Sequence, residues 1–566
     1  MAMLSIRCLR LGYDQSIAVL LCAFALSACG GGDDGGTAAT GAGVEANAQP
    51  PTKSLSQQKP VMTPADIARA REAERDRPAP VVRGNTSAGP DAVAAARATP
   101  RGAGAVGQWS AAFDWPINAI HVVLTPDGKV MSYGSDPEGA QGAQLYYDVW
   151  NPATRAHSLL LHPLTSTDIF CSAQVVLPTS GQVLLAGGDT RGINGRVNTG
   201  VNDVNLFDPV TLELRRSDFF MAYARWYGSL VPLADGRVLA IGGIDADAGG
   251  SGIPEIFTQG QSWRTLSGIP YWPADYLYPR GVLAPNGQVV VASFSELYAI
   301  QTAGSGRGEQ IGTLPSAINW LMPWAMFDRG KILMVAGNGS AMVIDVNSSP
   351  PVVSAVPGPG PNRIWASTTV LPDGQVLITG GSAQQNEKVN EAYSADIWNP
   401  KTRQWTVGAT AQNFRLYHST ALLLPDATVL SAGGGSPGPV VNLNAEIYSP
   451  PYLFAKDGSS NRLPRPMINS APANITLGST FRISVGSTPS IRRVTLVRTG
   501  SVTHSTNFEQ RFLELPFRKA GNGLDVTINE GPNTVPPGHY MLFAIDDAGV
   551  PSIAKIVRIN SAAVPS

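Results

Sequence analysis

TTVLPDGQVLITGG, residues 368–381, is a short β-branched run, a Pro-Asp-Gly turn, a second apolar run and a closing Gly-Gly. Thr, Val and Ile favour strands, and Asp-Gly is a strong hairpin signal because glycine tolerates a left-handed turn position. The unit recurs in both directions along the chain. Its turns, each read as a two-residue turn, are Asp127-Gly128, Ser180-Gly181, Asp235-Gly236, Asn286-Gly287, Arg329-Gly330, Asp373-Gly374 and Asp426-Ala427. The second turn residues are spaced 53, 55, 51, 43, 44 and 53 apart. Gly187-Gly188, Gly242-Gly243, Gly380-Gly381 and Gly433-Gly434-Gly435 close second strands, and the stretches from Asp148 and Asp396 supply outer strands. A sandwich does not explain a recurring period of this length. Seven hairpins at that period, with four short strands per unit, predict seven blades of a β-propeller.

The predicted fold class is all-β: a seven-bladed kelch-type β-propeller over 106–455, followed by an immunoglobulin-like β-sandwich over 462–562. In the second domain the strands read are Phe481 to Val485, Arg493 to Arg498, Tyr540 to Ile545 and Ile553 to Ile559. Composition agrees: among 566 residues only 15% are charged, with 60 glycines and 45 prolines. Lys and Arg (41) nearly cancel Asp and Glu (42), so no basic field exists to attract nucleic acid.

Residues 1–29 read as an export signal. Arg7 and Arg10 precede an apolar run from Ser16 to Ala28, too short to span a bilayer, which ends in Leu26-Ser27-Ala28-Cys29. This resembles a bacterial lipoprotein signal, with Cys29 as the lipidated start and the membrane met only through that lipid. The expected location is the outer membrane or cell surface, on the periplasmic or extracellular side. Residues 30–105, rich in Gly, Ala, Pro and Asp, read as a disordered tether. Of the four cysteines, Cys8 and Cys22 leave with the signal and Cys29 takes lipid, so Cys171 stands alone in the mature chain. A lone thiol in an oxidising compartment is a liability unless buried or used.

The repeat also serves as a ruler. The first hairpin strand of a blade lies near the central channel, so residues equally far before each turn should share one height around the axis. Nine or ten residues before the second turn residue stand Cys171, Tyr227, Tyr278, Trp320, Trp365 and the pair Tyr417-His418; blade one offers only Asn118 and Ala119. Aromatics are 7% of the chain, so chance is a poor account of this ring. Aromatic plugging of the channel would explain the tryptophans but not the thiol and the Tyr-His pair. Imidazole with phenolate suits Cu(II). A second imidazole is needed: His157 and His162 read as surface residues and His539 as a turn residue, which leaves His121, inside the first inner strand, and His504, on a loop of the second domain that could reach the channel.

These residues resemble the copper radical oxidase family, the group of galactose oxidase and glyoxal oxidase. The likeness is carried by Phe170-Cys171, Arg225-Trp226-Tyr227, Tyr417-His418-Ser419, Val502-Thr503-His504 and the stretch from Gly538 to Phe543. It covers about residues 105 to 561. The resemblance implies an early-set second domain and one copper ion held by Tyr227, Tyr417, His418 and His504. It also implies a Cys171–Tyr227 thioether whose tyrosine stores a radical, and Tyr417 as the axial ligand that takes the substrate proton. The implied reaction converts small aldehydes or primary alcohols with O₂ into acids or aldehydes plus H₂O₂. The Arg-Trp-Tyr form follows the glyoxal oxidases. Trp226, Trp272, Tyr278, Trp320 and Trp365 are the candidates for the substrate mouth, and a monomer is expected. Two other readings stay open: a tethered carbohydrate-binding propeller with a vestigial copper site, and a galactose oxidase-type sugar alcohol oxidase. Copper content with peroxide release separates the first from an enzyme.

Overall fold

The computed structural model describes residues 102–141, 146–161, 167–190, 198–247, 249–269, 277–486 and 490–561. The export signal, most of the tether, His162 and Trp272 lie outside the described residues.

All seven hairpins are present. Their strand pairs are His121–Leu124 with Val130–Tyr133, Ala173–Val176 with Val183–Ala186, Ser229–Pro232 with Val238–Ile241, and Arg280–Leu283 with Val289–Gln301. Trp324–Asp328 with Lys331–Val335, Ser367–Val370 with Val376–Thr379, and Ser419–Leu423 with Val429–Gly433 complete the set. Each hairpin opens its own sheet, and the first strands of neighbouring sheets lie against one another everywhere but between the fourth and fifth, with the first also meeting the last. Between the fourth and fifth sheets the Arg280 guanidinium donates to the carbonyls of Trp320 and Met322 at 2.7 and 2.9 Å.

Arg329-Gly330 is a two-residue turn as expected, with Asp328 paired to Lys331, and Gly181 closes a wider turn, but the other five differ from the two-residue form. In the 371–375 turn, Gly374 N–H donates to Leu371 O (2.9 Å), Leu371 N–H donates to Gln375 O (2.8 Å), and the Asp373 carboxylate accepts Gln375 N–H (3.1 Å). That is a three-residue loop, a type I turn followed by a left-handed bulge residue. The turns at Gly128, Gly236, Gly287 and Ala427 repeat the backbone pattern, and even Ala427 adopts φ 63°. The Gly-Gly endings have a separate cause. A Cβ at Gly187 or Gly188 would lie 2.0 Å from the carbonyl oxygen of Arg225 or Asp168, so each pair lets a neighbouring main chain pass.

Three sheets depart from four strands, the first with six because two come from the second domain. The fourth has three strands among the described residues, two of them long, Val289–Gln301 and Arg307–Ile318. In the seventh, Gln108–Trp109 and Phe113–Asp114, from the start of the ring, pair with Asn444–Ser449 and close the circle.

The second domain packs two sheets over a core that includes Ile483, Val494, Leu496, Val526 and Leu542. His539, read as a turn residue, lies buried inside the strand Gly538–Asp546. The joint between the domains matters most. Ser501–Thr503 and Thr506–Asn507 form a hairpin that leaves the sandwich and adds to the inner edge of the first sheet, with Thr503 opposite His121. Its two-residue loop is His504-Ser505, at φ 45° and 60°. Two consecutive left-handed residues make a type I′ turn, which favours Asn-Gly. Holding His and Ser there costs strain of the kind found at functional sites.

Candidate metal centre

The ring of equal heights exists, and the backbone shows why. Cys171, Tyr227, Tyr278, Trp365 and His418 are all left-handed, with φ between 42° and 66°. Tyr227 N–H donates to Cys171 O (3.0 Å), Tyr278 N–H to Tyr227 O (2.7 Å) and Trp365 N–H to Leu321 O (3.0 Å). By this pattern the fifth-blade equivalent is Leu321, and Trp320 and Tyr417 stand one residue earlier than the true ring position. Two residues before Tyr227, Trp365 and Tyr417 come Arg225, Arg363 and Arg415, each buried against a carboxylate of Glu255 (3.0 Å), Asp396 (2.6 Å) or Glu446 (3.3 Å). Breaking such a buried pair from one side is strongly destabilising, so these arginines fix where the strained segments sit.

Four side chains converge on one point. The Tyr227 and Tyr417 hydroxyls are hydrogen-bonded to each other. The His418 and His504 rings lie 4.7 Å apart at 83°, and the Tyr417 ring stacks on His418 at 3.6 Å. The Tyr227 ring is 5.0 Å and the Tyr417 ring 5.4 Å from the His504 ring. His504 is therefore the second imidazole at this point, brought there by the sandwich hairpin that occupies the inner edge of blade one.

Each imidazole is held through Nδ1. His418 donates Nδ1–H to Gly435 O at 2.8 Å, and its Nε2 is buried with no hydrogen-bond partner. His504 Nδ1 meets Thr503 Oγ1 at 2.5 Å, and that hydroxyl donates onward to Ile120 O at 2.9 Å. Outer partners of this kind set the tautomer that presents the Nε2 lone pair. Burial depresses both: His418 falls to about 3 and His504 well below the ordinary histidine value. Burial first, then neighbouring Cys171, pushes the phenols of Tyr227, Tyr278 and Tyr417 well above the ordinary tyrosine value.

Cys171 is wholly buried beside this group, with Sγ 3.7 Å from His504 Nε2. Burial raises its thiol, against the lowering effect of hydrogen bonds from Tyr227 and Tyr278. His121, Cys171 and His504 bring their ligand atoms within 4.8 Å of one another. His121 is nonetheless committed elsewhere: Nε2 accepts Cys171 N–H (3.2 Å) and Nδ1 meets Gln174 Oε1 (3.1 Å). It supports the site from behind, stacked on Tyr133 at 4.3 Å, and leaves no lone pair for a metal.

The mouth candidates separate. Trp320 is partly exposed and meets Tyr227 edge-on at 5.2 Å. Trp365 is 2% exposed and lies 4.5 Å from the Tyr417 ring, while Trp226 is 8% exposed and lies 4.4 Å from Tyr227. Tyr278 is fully buried, packed on Tyr227 and His504, with its hydroxyl on Ser172 O; it backs the site and is no part of a mouth. Residue type alone passed over Thr503 and Gly435, which orient the imidazoles; a short polar residue just before a ligand histidine was the available signal for the first.

The donor set suits copper. Two phenols and two imidazoles, one carrying an orphaned buried Nε2, form a mixed N,O environment that prefers Cu(II).

Residues 465–559 match the family described as "Galactose oxidase-like, Early set domain". The chain is 27% identical to a galactose oxidase of Gibberella zeae over 80% of this chain and 71% of that protein. It is also 27% identical to an aldehyde oxidase GLOX of Vitis pseudoreticulata, over 71% of this chain and 86% of the relative. A fungal alcohol oxidase of the AA5 family, solved with copper, superimposes with a TM-score of 0.70 at 23% identity, covering 80% of this chain and all of the other; that likeness supports the fold. A matching C-terminal domain, together with relatives of both oxidase types that each cover 71% or more of this chain, supports the copper radical oxidase family for it.

Proposed function

We propose that this copper radical oxidase acts on small primary alcohols or hydrated small aldehydes, with O₂ as acceptor and H₂O₂ as co-product. Its copper is held by Tyr227, Tyr417, His418 and His504. The observation that carries the reading is the buried, unpartnered Nε2 of His418, its ring locked from behind by Gly435, facing a group of one imidazole and two phenols rather than filler. A copper ion bound there supplies one-electron redox chemistry.

Removing a hydride equivalent from an alcohol takes two electrons, so the protein must hold the second oxidising equivalent. Tyr227 is the group for this, joined to Cys171 by a thioether whose sulfur spreads the unpaired spin. Tyr417, partly exposed and hydrogen-bonded to Tyr227, would be held as the phenolate by a bound copper ion, and its oxygen would then receive the substrate hydroxyl proton. Burial keeps both histidines neutral, as ligation requires. Trp226, Trp320 and Trp365 wall the site with apolar faces. Such walls discriminate weakly among small substrates and offer few fixed donors for selecting a sugar.

The N-terminal segment carries the protein out of the cytoplasm, and lipid at Cys29 anchors an otherwise monomeric enzyme.

Copper-loaded protein should be screened for peroxide release against glyoxal, methylglyoxal, glycolaldehyde, galactose and simple alcohols. The small carbonyls or alcohols should lead. Galactose as the best substrate would overturn the substrate class. Tight copper binding with no peroxide from any of them would instead favour the carbohydrate-binding reading.

A further inference from the structure

Blade one is the one blade whose ring position offers neither a ligand nor a bulky apolar side chain. Ala119 stands there, at the offset of Tyr227, Tyr278, Trp365 and His418; Asn118, one residue earlier at the offset of Tyr417, is wholly buried with its amide fully engaged. Oδ1 accepts Gly434 N–H at 3.0 Å. Nδ2 faces the carbonyls of Gly434 and Gly435, both at 3.3 Å, and Ser436 Oγ at 3.0 Å. Carbonyls can only accept, so these partners fix which way the amide points. The Asn118 main chain is tied in turn, its N–H donating to Ser135 Oγ at 2.7 Å.

The loop that Asn118 grips serves the metal ligands directly. Gly435 O accepts the His418 Nδ1–H, and Gly435 N–H donates to Tyr417 O at 2.7 Å. Gly433, Gly434 and Gly435 run through φ 69°, 121° and 95°. Three consecutive glycines permit that path but do little to hold it, so the position of the Gly435 carbonyl depends on partners outside the loop. We infer that Asn118 is a positioning residue of the copper centre: it holds the Gly435 carbonyl that sets the His418 tautomer and, through the same residue, the main chain of Tyr417. This rests on the copper-site reading above. It also gives a role to blade one, whose inner edge takes the sandwich hairpin while the residue just before its own ring position braces the loop that serves blade seven.

The test uses the full chain. Asn118→Ala and Asn118→Asp are compared with wild type and with Asn205→Ala, an equally buried asparagine on a blade-two strand that does not touch the glycine loop. The readouts are Cu(II) affinity by chelator competition, the Cu(II) EPR spectrum and the melting temperature of the copper-free protein. Asn118→Ala should weaken copper binding by about ten- to a hundred-fold, the usual effect of losing an outer-shell partner, and should change the copper hyperfine splitting. Asn118→Asp should be at least as damaging, because it turns a carboxylate oxygen toward two carbonyls. Asn205→Ala should leave affinity and spectrum unchanged, whatever it does to melting. Should the Asn118 variants fail to fold, Ser135→Ala, which frees the Asn118 N–H and takes one donor from the Asp136 carbonyl but leaves the Asn118 amide in place, decides the question: weaker copper binding with an altered spectrum supports the role. Wild type that binds copper, matched by folded Asn118 or Ser135 variants in affinity and spectrum, overturns this inference alone. Wild type that binds no copper overturns the site reading beneath it.

Discussion

Lowering the pH of the copper-free protein from 7 to 5 should destabilise it by about 6 kcal/mol through three histidines, at about 2 kcal/mol each. His121 and His418 are held near 3 and His539 near 4, against 6.5 for an unperturbed histidine, and burial is the leading cause in each. Because the folded values are depressed, the unfolded chain gains these protons first. Little is lost above 6.5; the penalty grows as pH falls below it and levels off near 4 for His539 and near 3 for His121 and His418. The contacts explain the resistance. A proton on His121 Nε2 would point at the Cys171 N–H it now accepts. A proton on His418 Nε2 would enter a buried position with no acceptor. His539 lies in the field of Arg498 and Arg558. His504 is depressed in the same direction and adds to the loss. The assay is the urea midpoint of the copper-free protein at both pH values, with histidine NMR on the folded form. The midpoint should fall steeply while these ring signals stay in their neutral positions. A folded-state titration near 6.5 for any of the three, or a midpoint that does not move, would refute the reasoning. Copper on His418 competes with the same proton, so the loaded protein should resist acid further.

His504→Asn keeps a residue that type I′ turns favour, so the variant should fold and melt close to wild type yet lose tight copper binding; retained binding by equilibrium dialysis would remove His504 from the ligand set. Copper and O₂ should join Cys171 to Tyr227, the lost hydrogens passing to O₂; intact mass should drop by two hydrogens, and alkylation of Cys171 in the oxidised copper protein would contradict the bond. Removing residues 1–100 should leave an active enzyme, whereas starting at Asn118 removes both strands that pair with Asn444–Ser449 and should cost cooperative melting as well as activity.

The sequence by itself determined the ring. Hairpin chemistry is local: an Asp or Asn side chain capping the next backbone N–H, then a residue that tolerates positive φ, can be read within five residues wherever it recurs. Even the nature of the turn, a bulged three-residue loop rather than a two-residue one, was hidden only because both use Asp-Gly. Because the blades repeat, equal offsets from those turns placed Cys171, Tyr227, Tyr278, Trp365 and His418 at one height before any coordinates, and the left-handed backbone they share confirms it. Depth was not legible. Tyr278 and Trp320 occupy neighbouring offsets, yet one is fully buried and the other partly exposed, because the ring step in blade five falls on Leu321. The choice between His121 and His504 was open for the same reason. The two are separated by a hairpin nearly 380 residues downstream that lays Thr503 beside His121, so that the nearer histidine turns its nitrogens to Cys171 and Gln174 while the distant one stands among Tyr227, Tyr417 and His418. No local pattern encodes that pairing. It follows from the sandwich docking its hairpin onto the inner strand of the first blade.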